Sequence, residues 1–331
     1  MIKAIALISG GLDSLLAAKV VQQQAIEVIG VYFKIPFSLR EKSERRDFAL
    51  ELSRISGIDL KTVVLGEEFL EIVRNPKHGR GANINPCIDC KILMLKKAKE
   101  MMQDLGASFL ITGEVLGQRP MSQHNRALDL IKQEAGVKGF LLRPLSAKLL
   151  EPTIPEQKEW VDRNKLLDFS GRSRKAQIDL AVMLGLIDYQ QPAGGCLLTD
   201  PRFSQRLRDL MKHGGYDLKN VELLKFGRHF RLSDKAKLIV GRDESENIEI
   251  EKLAIDGDYL FYPPGDIAGP TSLGRGEFSD ELTGLSARIT SRYCDRKQDS
   301  TDISCRRLPD KQERTLNVSP VSEDELEKLR I

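Results

Sequence analysis

No stretch of the 331-residue sequence approaches the roughly 20 consecutive apolar residues needed to cross a bilayer, so no membrane partner is expected. The opening MIKAIALISGG is too short in its apolar part, and too soon followed by Asp13, to read as a secretion signal. A cytoplasmic location is the default expectation. A surplus of one charge is missing as well: 51 Lys and Arg stand against 48 Asp and Glu, a net +3, and the overall field does not announce a nucleic-acid partner. An even cysteine set is absent. Cys87, Cys90, Cys196, Cys294 and Cys305 are five thiols, which argues against a disulfide framework and for thiol or metal chemistry. No internal repeat is found.

What is present, 41% hydrophobic and 30% charged residues, is the composition of a globular protein long enough for two domains. Through the first half, strand-length apolar runs alternate with helical patterns. AIALIS is followed by DSLLAAKVVQQQ, EVIGVYFKI by EKSERRDFALELSRIS, and then comes LKTVVL. The series resumes with KILMLKKAKEMMQDLG, ASFLITGE, NRALDLIKQEAG, GFLLRPL and PEQKEWVDRNKLLDF. This βαβ alternation predicts an α/β domain over residues 1–196, a doubly wound, mostly parallel sheet with ligands beyond the carboxyl ends of its strands. Pro and Gly in YQQPAGGCLLTDP (189–201) mark a change to a smaller α+β domain over 197–331. There the pattern predicts helices in RFSQRLRDLMKHGG, ESENIEIEKLA and DELTGLSARITSRYC, a hairpin over about 222–241 and a strand at YLFYPP. PPGDIAGPTSLGRGE reads as a loop, and the last 35 residues as a polar appendage with Cys294 and Cys305 as peripheral thiols.

The first strand runs into ISGGLDSLL (8–16). Gly10 and Gly11 let the backbone approach a ligand closely, and the helix that follows points its positive end at the same place, which suits an anion. Ser9 and Ser14 add hydroxyls, and Asp13 can cap the first turn or help hold magnesium against phosphate charge. The Walker type of phosphate loop is excluded, because no lysine follows the glycines in a G-K-[ST] arrangement. SGGLDS resembles instead the PP-loop of ATP pyrophosphatases, the adenine nucleotide hydrolase-like enzymes that split ATP into AMP and pyrophosphate while adenylating a carbonyl. By that resemblance the loop holds pyrophosphate. The end of the second strand, Tyr32 and Phe33, then lies beside adenine, although alternation places either ring in the core equally well.

NPCIDCK puts Cys87 and Cys90 in a C-x-x-C pair at a helix start, where the helix end is expected to lower thiol pKa, and Cys196 follows a glycine pair far downstream. Three thiolates with one open position suit a 4Fe-4S cluster able to bind sulfide, whereas four would suit structural zinc.

SFLITGEVLGQRPMSQHNRALDLI (108–131) and LLRPL (141–145) look like segments of the tRNA 4-thiouridine synthases, and NPC like the loop of the tRNA 2-thiouridylases. The likeness covers roughly residues 1–196. It implies that Thr112, Gly113, Glu114 and Gln118, with Ser122 and Gln123, line the nucleotide and uridine side of a pocket, and that Arg143 meets phosphate or forms a salt bridge. It departs from the family in that the motif begins at residue 9, leaving no N-terminal THUMP module expected, and nothing after 200 reads as a rhodanese domain. GRHFRLSDKAKLIVGRDESEN (227–247) looks like the RNA-binding domain of NFACT proteins.

The resemblance implies an ATP- and Mg2+-dependent tRNA sulfurtransferase, a 4-thiouridine-forming enzyme fed by external sulfide or a persulfide donor. Persulfide chemistry on Cys90 or Cys196 is the other route. The candidate tRNA phosphate contacts are Arg172, Arg174, Lys175, Lys225, Arg228, His229 and Arg231. Two rival classes are an ATP-dependent ligase or amidotransferase for a small metabolite and a non-catalytic RNA-binding protein.

Overall fold

The structure is a computed structural model that describes residues 2–38, 48–186, 189, 196–265, 267–295, 299–310 and 312–331. The chain divides into two compact units, Met1–Asp200 and Pro201–Ile331. In the first, the strands are β1 (Lys3–Leu7), β2 (Glu27–Lys34), β3 (Asp59–Val64), β4 (Phe109–Ile111) and β5 (Leu141–Leu142). The helices are α1 (Leu12–Gln22), α2 (Phe48–Ser56), α3 (Glu67–Arg74), α4 (Cys87–Asp104), α5 (Asn125–Glu134), α6 (Ile154–Gln157) and α7 (Lys175–Met183).

The five strands are all parallel in the order β3-β2-β1-β4-β5. β1 buries four of its five residues and β2 buries Val28–Val31 in succession, the near-continuous apolar reading of strands covered on both faces. α1 packs Leu12, Leu15 and Leu16 into the same core as Phe109, Ile111 and Leu142. Strand order reverses between β1 and β4, so a crevice opens beyond their carboxyl ends, where ligands bind in doubly wound sheets. The expected α/β architecture is present.

One expected helix is not. Residues 155–169 form no continuous helix: the single turn α6, begun by a Thr153/Glu156 capping box, ends where Glu159 takes φ +56°, a left-handed conformation that no helix continues through, and a 3-10 turn follows at Arg163–Lys165. The described part of the helix expected in 41–56 is α2; residues 39–47, and the pair Gly194/Gly195 before Cys196, lie outside the described residues.

The second unit is α+β. It contains α8 (Pro201–His213), α9 (Leu218–Leu223), β6 (Arg228–Ser233), β7 (Ala236–Val240), α10 (Glu244–Lys252), β8 (Tyr259–Tyr262) and β9 (Ser272–Gly276). α11 (Asp280–Arg292), β10 (Thr301–Arg307), β11 (Glu313–Val318) and α12 (Glu323–Leu329) complete it. An antiparallel sheet runs β11-β10-β8-β9-β7-β6.

Two expectations fail here. The glycine-rich loop contains β9, where Gly274 is required because a Cβ would stand 2.6 Å from the Phe278 ring. The polar tail supplies β10, β11 and α12: in TDISCRR the residues Thr301, Ile303 and Cys305 face in while Asp302 faces out. Cys294 and Cys305 are therefore core residues, not peripheral thiols.

Candidate active site

The glycine loop leaves β1 at the crevice. Gly10 takes φ +80°, available to glycine at little cost, and Gly11 caps α1. The Ser9 N–H donates to Ser14 Oγ at 3.2 Å and the Ser14 hydroxyl donates to the Gly11 carbonyl at 2.8 Å, so the two serines hold the turn before any ligand arrives. The Asp13 carboxylate is gripped from two other segments. Gln118 Nε2 donates to Oδ2 at 2.9 Å, and Arg174 Nη2 stands 3.5 Å from Oδ1. Gln177 Nε2 in turn reaches Gln118 Oε1 at 3.4 Å. Arg174 Nε is buried with no hydrogen-bond partner among the described residues.

The segment after β4 lies directly against this loop. A Cβ on Gly113 would stand 2.4 Å from the Asp13 carbonyl group and 2.5 Å from Ser14 N, so only glycine lets the two backbones meet. Thr112 and Glu114 flank it, wholly buried. Glu114 Oε2 accepts from Arg143 Nε at 3.0 Å and from the Thr112 hydroxyl at 3.0 Å, while Arg143 also donates to the Leu128 carbonyl. Burial alone would raise the Glu114 pKa. The Arg143 guanidinium, with Lys91 and the Thr112 hydroxyl, outweighs it and holds the carboxyl below its ordinary value. Of the two uses expected for Arg143, the structure gives the salt bridge. Ser122 and Gln123 are buried beneath the same loop, with the Gln123 carbonyl accepting from Gly117 N at 2.6 Å.

Cys87 and Cys90 occupy the first turn of α4, three residues apart and hence on one face. His78 braces that turn, its Nδ1 2.8 Å from Asp89 Oδ1 and its Nε2 3.0 Å from Glu134 Oε1. Cys196 is brought alongside by a bridge to Ser38 just past β2, by Leu197 N donating to the Phe37 carbonyl at 2.8 Å, and by Ile84 N donating to Leu198. The three thiols interact electrostatically: Cys90 feels Cys196 and Cys87, and Cys196 feels Cys87. Burial pushes the Cys90 pKa up to about 12 and that of Cys196 up to about 11. For Cys90 this reverses the expectation of a thiol acidified by a helix end, because desolvation exceeds the pull of Lys91.

The glycine loop and the cysteines are linked through the segment between β4 and α5. Lys91 acts on both Glu114 and Cys90, Arg119 acts on Cys196, and Asn85 Nδ2 spans Cys87 Sγ at 3.1 Å and Met121 Sδ at 3.9 Å. Lys91 and Arg174 are the site residues that the sequence pattern does not single out in this role.

Other expected contacts fare differently. The Phe33 ring is core, and Tyr32 is half-buried. Among the basic candidates Arg172 and Lys175 are exposed, but Arg174 serves Asp13 instead. Lys225 is paired with Glu222 at 2.6 Å, Arg231 with Asp209, and Arg228 lies over the Tyr293 ring at 4.5 Å. His229 is 1% exposed and cannot contact an RNA backbone across the surface.

The donor chemistry can be tested against the two inorganic groups that the resemblance implies. Asp13, a hard carboxylate in the first turn of α1, fits magnesium carried in on ATP phosphates. Among the described residues, no group of three or more His, Cys, Asp or Glu could hold a single metal ion. A thiol-only set fits an iron-sulfur cluster better, since a cluster takes each thiolate on a separate iron.

Residues 2–150 match the family model described as thiamine biosynthesis protein (ThiI), and residues 227–330 match the NFACT protein RNA binding domain. The chain is 30% identical to a probable tRNA sulfurtransferase of Thermococcus kodakarensis over 116 residues, 35% of this chain and 30% of that protein. It is 25% identical over 246 residues to the tRNA-specific 2-thiouridylase MnmA 2 of Clostridium botulinum, 71% of this chain and 62% of that protein. A solved 4-thiouridine synthetase–RNA complex with bound ATP is similar over 67% of this chain and 52% of that one, at 19% identity and a TM-score of 0.40. The chain thus spans less than two thirds of each of these relatives. The likeness to tRNA thiolation enzymes, and that of the second unit to the NFACT domain, are both borne out. Among the described residues no helix is long and apolar enough to cross a membrane.

Proposed function

We propose that the chain is an ATP-dependent tRNA sulfurtransferase that exchanges a uridine carbonyl oxygen for sulfur. The observation that carries this is the junction at Gly113: its backbone contact joins the glycine loop to the segment that also reaches Cys87 and Cys196. The uridine oxygen attacks the α-phosphorus of ATP, the bond to pyrophosphate breaks, and the base carries AMP on that oxygen. Sulfur then adds at the same carbon and AMP leaves with the oxygen. The glycine loop, Ser9, Ser14 and the Arg174 guanidinium that stands beside Asp13 receive the pyrophosphate, and donors fixed before the reaction stabilise its charge without reorganising. Magnesium, held by Asp13 and the phosphates, would supply further neutralisation there. The product is 4-thiouridine by the resemblance of TGEVLGQ, while the 2-thiouridylase relative makes oxygen 2 the competing position.

Cys87, Cys90 and Cys196 would hold an iron-sulfur cluster, which supplies an iron to bind external sulfide. A second reading puts a persulfide, delivered by an external persulfide donor, on Cys90 or Cys196, and the other thiol, close enough to interact with it, then releases the product as a disulfide forms. Anaerobic purification followed by iron analysis and absorption spectra separates them. The cluster predicts iron-dependent visible absorption lost in Cys87→Ala, Cys90→Ala and Cys196→Ala; iron-free protein that still thiolates from a persulfide donor overturns it.

A further inference from the structure

Helix α7 sends two side chains toward the glycine loop. Arg174, which caps it, and Gln177 stand three residues apart and hence on one face. Arg174 meets one oxygen of the Asp13 carboxylate directly, Nη2 to Oδ1 at 3.5 Å. That contact is long, and Arg174 Nε has no partner among the described residues, so the guanidinium is not saturated by protein. Gln177 reaches the other oxygen through an intermediary. Its Nε2 stands 3.4 Å from Gln118 Oε1, and Gln118 Nε2 donates to Asp13 Oδ2 at 2.9 Å. Gln177 is 1% exposed, so its amide is addressed by protein and not by bulk water. The segments that carry the two glutamines are joined through their backbones: Gly171 N donates to the Leu116 carbonyl at 2.7 Å, and Leu116 bridges to Ser170.

The chemistry of the amides gives this chain a direction. A carboxylate accepts and does not donate, so Gln118 must turn its NH2 group to Asp13, which leaves its own carbonyl oxygen facing away and in need of a donor. Gln177 supplies that donor. Without it the reversed amide, with Oε1 turned toward the carboxylate, becomes accessible and Asp13 loses its cap. We propose that Gln177 is a positioning residue of the nucleotide site. It fixes the Gln118 amide, which keeps Asp13 Oδ2 capped and leaves Oδ1, loosely held by Arg174, as the oxygen that exchanges its partner when ATP arrives with magnesium. The inference rests on the reading of the glycine loop as the ATP site and adds α7 to it, a helix that governs both oxygens of one carboxylate, one fixed and one exchangeable.

The test measures binding of an ATP analogue, with a methylene between its α- and β-phosphorus atoms, to the full chain by calorimetry, with and without magnesium. The parent is expected to bind more tightly with magnesium. Gln177→Met should weaken that binding about fivefold and leave magnesium-free binding unchanged, and Gln118→Leu should weaken it about tenfold. In the Gln118→Leu background Gln177→Met should have no further effect, because the relay is already broken. If Gln177→Met does not fold, Gln177→Glu replaces it with the same expected pattern, since its carboxylate draws the Gln118 NH2 away from Asp13. A Gln177 variant that binds like the parent, or that weakens binding by the same factor in both backgrounds or equally with and without magnesium, overturns the positioning role and leaves the ATP site standing. A parent chain that does not bind the analogue overturns the ATP site and this inference together.

Discussion

The glycine loop and the cysteine corner stand at the same end of one parallel sheet and are prepared in opposite ways. At the loop, each charge has partners it can exchange: Asp13 is shared by Gln118 and Arg174, and the serine hydroxyls bond to one another. An incoming polyphosphate replaces one polar contact with another. At the corner, burial holds Cys90 and Cys196 as protonated thiols, and the supporting polar residues, His78, Asp89 and Glu134, fix the helix turn rather than activate sulfur. The difference teaches that the loop is built from polar contacts a ligand can replace, whereas the corner is built by burial.

Four experiments break or sharpen this contrast. Asp13→Asn and Cys90→Ala should each cut thiouridine formation about 10³-fold, but only Cys90→Ala should retain RNA-dependent pyrophosphate release. If both lose pyrophosphate release equally, the two regions do not divide the reaction. Glu114→Ala leaves Arg143 buried without its anion and should cost about 3–5 kcal/mol of stability, read by denaturant unfolding of the first unit's transition. Gly113→Ala pushes a methyl into the Asp13–Ser14 backbone and should cost about 1–3 kcal/mol while weakening nucleotide binding. The smallest effect is on pH dependence. Because the folded-state pKa of Glu114 lies below its ordinary 4.5, its contribution is present above that pH and is lost as pH falls through the folded value. Acid unfolding of Glu114→Gln should therefore show a shallower slope than the parent below pH 4.5.

Much of the site was legible in the sequence because glycine and strand order carry it. SGGLDS after the first apolar run and TGE after the fourth strand are local signals, and a doubly wound sheet brings their ends together. Arg174 was legible only as a basic residue, since its pairing with Asp13 spans 161 positions that no motif bridges. Lys91 follows the second cysteine in plain view, yet its reach to Glu114 depends on how α4 packs. The pKa expectation for Cys90 failed for a related reason: a helix start is visible in sequence, and desolvation is not. In the second unit, β10 was hidden because its outward Asp302 made an alternating strand read as a polar tail. His229 looked like a surface contact for RNA, and only the structure shows it buried.

The central claim is that ATP cleavage at the glycine loop drives sulfur into tRNA. It is tested most directly by incubating the anaerobically purified chain with tRNA, ATP and sulfide or a persulfide donor, then analysing the nucleosides by mass spectrometry. The account predicts thiouridine that appears only with ATP and is absent with Asp13→Asn and with Cys90→Ala. ATP turnover on a small metabolite with no sulfur entering any tRNA under these conditions would contradict it.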